Sequence, residues 1–95
     1  MGKYLVEITP DALERISHVT DETIKTDIAD TEQEIVEREG KLAGYSNLEF
    51  YGGTKSTKKM AAFMRIATEQ EIAERSEFID FLKRVLEARA ENLET

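Results

Sequence analysis

The sequence predicts a mainly α-helical fold, an antiparallel hairpin of two long helices with a short N-terminal β-strand. One long stretch repeats apolar residues about every 3.6 positions, the period of a helix that buries one face, and a second long stretch carries an apolar patch near each end. Between them, residues 44–55 contain three of the five glycines. A chain of 95 residues makes one domain, here residues 1–95, with a thin core.

The N-terminal residues predict a strand followed by the start of a helix. Residues 3–8 are rich in Tyr, Leu, Val and Ile, which favours a short β-strand. Thr9 is a suitable N-cap, and Pro10 suits the first helical position because its missing N–H group would have no partner there. The first helix is therefore expected to begin at Pro10.

This first helix is predicted to span residues 10–43. Its apolar positions keep the helical period, but polar residues interrupt them near Thr20, where a second N-cap would allow a kink. Gly40 or Gly44 is expected to end the helix, since glycine is favoured just after a helix C-terminus.

Residues 44–55 are predicted to be the connecting loop. Within it, residues 47–51 favour a short strand. The second helix is predicted at residues 56–92, with Ser56 or Thr57 as its N-cap. A hairpin of these helices predicts three neighbouring pairs, namely Ile35 with Met60, Ile24 with Ile72, and Leu13 with Leu82.

Two features predict a homo-oligomer, most simply a two-fold dimer. The strand at residues 3–8 has no partner strand within reach in its own chain, because a 30-residue helix is about 45 Å long. The second helix also carries an apolar face that is wider than one partner helix covers. This predicted interface consists of Phe78, Phe81, Leu82, Val85 and Leu86. Alternatively, residues 3–8 lie over the end of their own hairpin and cover Val85 and Leu86.

Charge is distributed unevenly along the chain. The net charge of −7 argues against general binding to nucleic acids or to anionic membranes. Residues 1–39 contribute −7, residues 40–65 contribute +4 and residues 66–95 contribute −4. A basic segment therefore lies between two acidic arms.

Location and chemistry are also constrained by composition. The chain has no cysteine, no signal-peptide pattern and no run of about 18–20 apolar residues, which together favour a cytoplasmic protein without a membrane span. His18 is the single histidine, so neither a zinc ligand set nor a His-based catalytic set is complete. We expect no enzyme activity, no metal and no cofactor.

Acidic residues at helical spacing are interpreted as a solvated face. Glu34 and Arg38, like Glu71 and Arg75, have the i,i+4 spacing of ordinary stabilising pairs within one helix.

The glycines before Lys55 do not have the spacing of a P-loop, so a nucleotide-hydrolysing enzyme of that class is not predicted.

The basic segment is the candidate binding site. Lys58 and Lys59 are predicted in the first turn of the second helix, where the helix dipole disfavours cations. A helix N-terminus with exposed lysines suits a phosphate-bearing, nucleotide-like ligand, and an aromatic ring nearby suits a base. The predicted ligand-binding residues are Phe50, Tyr51, Lys55, Ser56, Thr57, Lys58, Lys59 and Arg65.

Two other interpretations remain open for this chain. In one, the basic segment is only a solvated hairpin tip whose lysines offset the surrounding acids. In the other, the protein is an inhibitor or adaptor that binds a protein partner through its acidic helix faces, including by mimicry of nucleic acid, or through the apolar face Phe78–Leu86.

Overall fold

The computed structural model describes residues 7–94, and their side chains as far as residue 92. Its helices are α1 (Pro10–Arg15), α2 (Asp21–Tyr51) and α3 (Lys55–Glu94). The two long helices α2 and α3 pack against each other as an antiparallel hairpin, and α1 folds back onto the C-terminal end of α3. The molecule is elongated, with extents of 62 × 24 × 18 Å.

A break at residues 16–20 separates α1 from α2. The Thr9 hydroxyl caps α1 by accepting a hydrogen bond from the Ala12 N–H at 3.1 Å. The Thr20 hydroxyl caps α2 in the same way, accepting from the Thr23 N–H at 3.1 Å. Where the sequence predicts a kink within one helix, the structure has two separate helices, because Thr20 gives the second one a start of its own.

The predicted strand at residues 3–8 lies mostly outside the described residues. Glu7 and Ile8 are described, and neither is helical or part of a strand. Between residues 7 and 94 the structure contains no β-strand, so the strand of the predicted fold has no support there.

The predicted connection at residues 44–55 is wrong, because α2 continues to Tyr51 and only residues 52–54 form the turn. Residues 47–51 are helical and form no strand. Gly40 and Gly44 lie inside α2, and neither ends it. A glycine costs a helix only about 1 kcal/mol relative to alanine, which packing of the long helix against α3 offsets.

The turn also changes the predicted N-cap of the second helix. Thr54 caps α3, because its hydroxyl accepts a hydrogen bond from the Thr57 N–H at 3.1 Å and its carbonyl accepts one from the Lys58 N–H. The expected caps, Ser56 and Thr57, both lie inside the first turn. The second helix therefore starts at Lys55.

Because the turn lies later in the chain than predicted, α2 and α3 also pair in a different register. Ile24 and Ile28 of α2 pack in one cluster with Ile79, Leu82 and Val85 of α3. The predicted pairing of Ile24 with Ile72 is therefore wrong by at least about two helical turns, since Ile79, the nearest α3 member of this cluster, lies seven residues beyond Ile72. The error follows from placing the bend too early in the chain.

The core lies at the end of the hairpin away from the turn, which we call the base. Partly buried residues from the N-terminal segment and α1 complete this cluster; they are Ile8, Leu13, Ile16 and Val19. Leu82 and Val85 are buried, and Phe78, Phe81 and Leu86 are half-buried against the cluster. The apolar face predicted as an interface between copies is thus packed against α2, α1 and Ile8 of the same chain. The alternative, in which residues 3–8 cover Val85 and Leu86, lies mostly outside the described residues.

Arg89 of α3 forms hydrogen bonds with residues on both sides of the break between α1 and α2. Its guanidinium donates to Asp21 Oδ1 at 2.7 Å and to the Ile16 carbonyl at 2.8 Å. This single side chain therefore joins the three helices at the base. Within residues 7–94, none of the helices has the length and apolar content that a bilayer span requires.

Candidate functional site at the hairpin tip

The tip of the hairpin, residues 45–65, carries the predicted basic site. Lys55 and Lys58 lie in the first turn of α3, and Lys59 begins the second turn. All three side chains are exposed. Among residues 7–94, the cations that form ion pairs are arginines, and these lysines have no carboxylate within ion-pair distance. No described carboxylate therefore neutralises the positive charge at this helix N-terminus.

The backbone at this N-terminus also offers hydrogen-bond donors. The N–H groups of Thr57 and Lys58 are satisfied by Thr54. Those of Lys55 and Ser56 precede the first intrahelical bond and point out of the helix, as in any helix N-terminus. Phe50 and Tyr51, in the last turn of α2, are the most exposed aromatic residues described. Lysines, free N–H groups and aromatic rings therefore lie on either side of one short turn.

Arg65 is the one predicted site residue that the structure removes from this group. Its Nε donates to Glu49 Oε2 at 2.5 Å and its Nη1 donates to Glu69 Oε1 at 3.1 Å. The hydrogen bond and the charge of Glu49 raise the pKa of Arg65 above its ordinary value. Its charge is already satisfied, so it links α2 to α3 and does not extend the basic strip.

Below the tip, four charged residues form what we call the waist of the hairpin. Arg38 Nε lies 2.7 Å from Glu71 Oε2, and Arg75 Nε lies 2.8 Å from Glu34 Oε2. The predicted pairs within each helix are therefore wrong, because each arginine bonds the carboxylate of the other helix. Each guanidinium also donates to the carbonyl one turn back in its own helix. Arg38 lowers the pKa of Glu71 below its ordinary value of 4.5, chiefly through the hydrogen bond that its Nε donates to the Glu71 carboxylate.

The single histidine lies at the surface of the base. His18 is exposed in the break between α1 and α2. In the described part of the chain, no cluster of His, Asp and Glu side chains has the arrangement of a metal site.

An apolar groove at the tip was not predicted from the sequence. It has a volume of about 340 Å³ and is lined by Tyr45, Leu48, Ser56, Thr57, Met60, Ala61 and Met64. The sequence signal for it was Met60 at the start of the second helix, which was predicted to lie near Ile35 of the first helix. Because the turn was predicted too early in the chain, Met60 was paired with Ile35, whereas the groove places it beside Leu48.

Comparison with known proteins adds no relative. The sequence matches no known family model, and no curated protein and no solved structure matches it.

Proposed function

We propose that this chain is a non-catalytic binding protein and that its tip binds a phosphate-bearing, nucleotide-like ligand. The observation that carries the proposal is the unneutralised charge of Lys55, Lys58 and Lys59 around the N-terminus of α3. Lys55 and Lys58, in the first turn, oppose the helix dipole and cost stability unless an anion is bound. A helix N-terminus provides the complementary donors for phosphate oxygens.

The aromatic residues define the kind of anion. Phe50 and Tyr51 are exposed one short turn away from the lysines. An aromatic ring beside a phosphate site suits a ligand that has a base as well as a phosphate, since stacking on a base is worth about 1–3 kcal/mol. A nucleotide fits these requirements better than inorganic phosphate does.

Titration calorimetry with a panel of nucleotides and cyclic nucleotides tests this proposal. The Lys58→Gln/Lys59→Gln variant is expected to lose at least about tenfold in affinity, since a hydrogen bond to a charged group contributes about 1.5–3 kcal/mol. The Lys25→Gln/Lys83→Gln variant, which removes two exposed lysines away from the tip, is the matched control. No binding by any member of the panel, or equal affinity in both variants, contradicts the proposal.

A second candidate is an inhibitor or adaptor that uses the acidic surface of α2. Glu32, Glu37 and Glu39 are exposed and take no part in the waist ion pairs, whereas Glu34 does. Charge reversal of these three residues should abolish capture of a basic protein partner, with reversal of Glu87 and Glu91 on α3 as the control. Retained capture after reversal on α2 counts against this candidate.

A further inference from the structure

The apolar face of α3 is covered at one end of the molecule and uncovered at the other. At the base, Phe78, Phe81 and Val85 pack in the cluster that α1 completes. Met60 lies seven turns before Val85 on the same side of the helix, because 25 residues at 3.6 per turn make about seven turns. In the described part of the chain, α1 packs only at the base. The side of α3 that bears Met60 and Phe63 is therefore not covered by α1.

The uncovered surface is large for a chain of this size. Met60 is 63% exposed, Phe63 66%, Leu48 46% and Ile66 48%. Together these side chains expose roughly 400 Å² of apolar surface, which is within the range of the largest apolar patch on a typical monomer and commonly marks an interaction site. The groove between Leu48 and Met60 is a depression in this surface, into which a side chain of a partner can pack.

We propose that a second copy of the chain covers this surface, packed antiparallel about a two-fold axis close to Phe63. A two-fold contact requires a surface that complements itself, and an apolar helix face with a shallow groove satisfies this requirement. These apolar side chains alone supply about half of the roughly 800 Å² per partner of a standard interface, and the polar residues around them would supply the rest. The inference rests on Met60 and Phe63 and does not depend on ligand binding by the lysines.

Charge selects the antiparallel arrangement. Lys55 lies eight residues before Phe63 and Glu71 lies eight residues after it. Around an axis at Phe63, Lys55 of one copy therefore comes level with Glu71 of the other. A parallel arrangement would place the lysines of both copies at the same level, where like charges repel.

The state of association of the full chain gives the first test. Sedimentation velocity over a wide concentration range should show a dimer for the unaltered chain and a monomer for Phe63→Glu. Val36→Glu, which changes another exposed apolar residue on α2, should leave the dimer intact. A monomer at every concentration, or a dimer that Phe63→Glu does not weaken, overturns the proposal.

Cross-linking gives a second readout that does not require a charge at the surface. The chain contains no cysteine, so Phe63→Cys introduces a unique thiol. Near a two-fold axis the two thiols meet, and oxidation should give a disulfide-linked dimer in much higher yield than with Val36→Cys. Equal yields from the two variants overturn the proposal.

Charge exchange tests the direction of packing. Lys55→Glu should weaken the dimer, and mixing that variant with Glu74→Lys should restore a mixed dimer, because Glu74 lies one turn beyond Glu71. If the mixture associates no better than Lys55→Glu alone, the antiparallel arrangement is wrong.

Discussion

At the scale of single residues, burial separates the side chains that hold this fold from those available for binding. Val85 is 1% exposed in the cluster at the base, whereas Val36, also in a long helix, is 61% exposed. The two residues have the same side chain, so their environments alone determine what truncation costs. They provide a matched pair for testing where the core lies.

Val85→Ala is expected to lower the free energy of unfolding by about 1–3 kcal/mol, since it removes two buried methyl groups and leaves a cavity. Val36→Ala should change it by less than about 0.5 kcal/mol. Urea denaturation followed by circular dichroism measures both. If the cost of Val85→Ala depends on protein concentration, Val85 lies between copies and the intramolecular core described here is wrong.

The waist contains a titrating residue with a defined effect on stability. The pKa of Glu71 is lowered in the folded chain by Arg38, so Glu71 favours folding at every pH above its ordinary value of 4.5. That contribution is lost as the pH falls through the lowered folded pKa. Glu71→Gln should therefore be less stable than the unaltered chain at neutral pH, and the difference should vanish in acid.

Denaturation at a series of pH values gives these two stability curves. Glu74→Gln, which removes a carboxylate that is in no ion pair among the described residues, is the matched control. A constant difference across the pH range for Glu71→Gln would show that its ion pair with Arg38 does not contribute.

At the scale of elements, the glycines of α2 and the turn have opposite roles. A Cβ added at Gly44 meets no atom within 4 Å, so this glycine only weakens the helix. A Cβ added at Gly52 lies 2.5 Å from the Leu48 carbonyl oxygen, which is closer than such contacts allow. The turn therefore needs Gly52, whereas α2 does not need Gly44.

Gly44→Ala should raise the free energy of unfolding by about 0.5–1 kcal/mol, the difference between the two residues inside a helix. Gly52→Ala should lower it, because backbone atoms must shift to make room. Gly53→Ala is the control for the turn, since its added Cβ also meets open space. Thermal denaturation of the three variants checks the order, and a stabilised Gly52→Ala would refute it.

These elements also show how far the sequence alone could lead. The helical period and the caps at Thr9 and Thr20 were readable, because both depend on local residues. The length of α2 was not, because its glycines resemble a helix end and only contact with α3 decides that the helix continues. The lysines of the tip were found from the dipole rule, whereas the groove beside Met60 depended on a register that the misplaced turn obscured.

At the scale of the whole molecule, the hairpin is uneven along its length. Its buried cluster and α1 lie at the base, whereas Ala61 is the only buried residue among the described tip residues 45–65. The waist is joined by the ion pairs Arg38–Glu71 and Arg75–Glu34, whose carboxylates are about half exposed. Ion pairs with exposed members contribute little to stability, typically 0–1 kcal/mol. The tip should therefore open more readily than the base.

Amide hydrogen exchange on the monomeric Phe63→Glu variant measures this difference without a second copy over the tip. Amides of residues 78–88 should exchange most slowly, and those of residues 45–50 and 56–64 should exchange faster through local opening. Uniform protection along both long helices would show that the hairpin unfolds as one unit.

The crossed ion pairs of the waist have a consequence for how the helices find their alignment. Sliding α3 along α2 by one turn in one direction brings Arg38 level with Arg75, and the opposite slide brings Glu34 level with Glu71. Each slip replaces two attractions with a repulsion between like charges. These ion pairs add little to the stability of the correct register. They nevertheless destabilise the two registers that differ from it by one turn, so the waist specifies how α2 and α3 align.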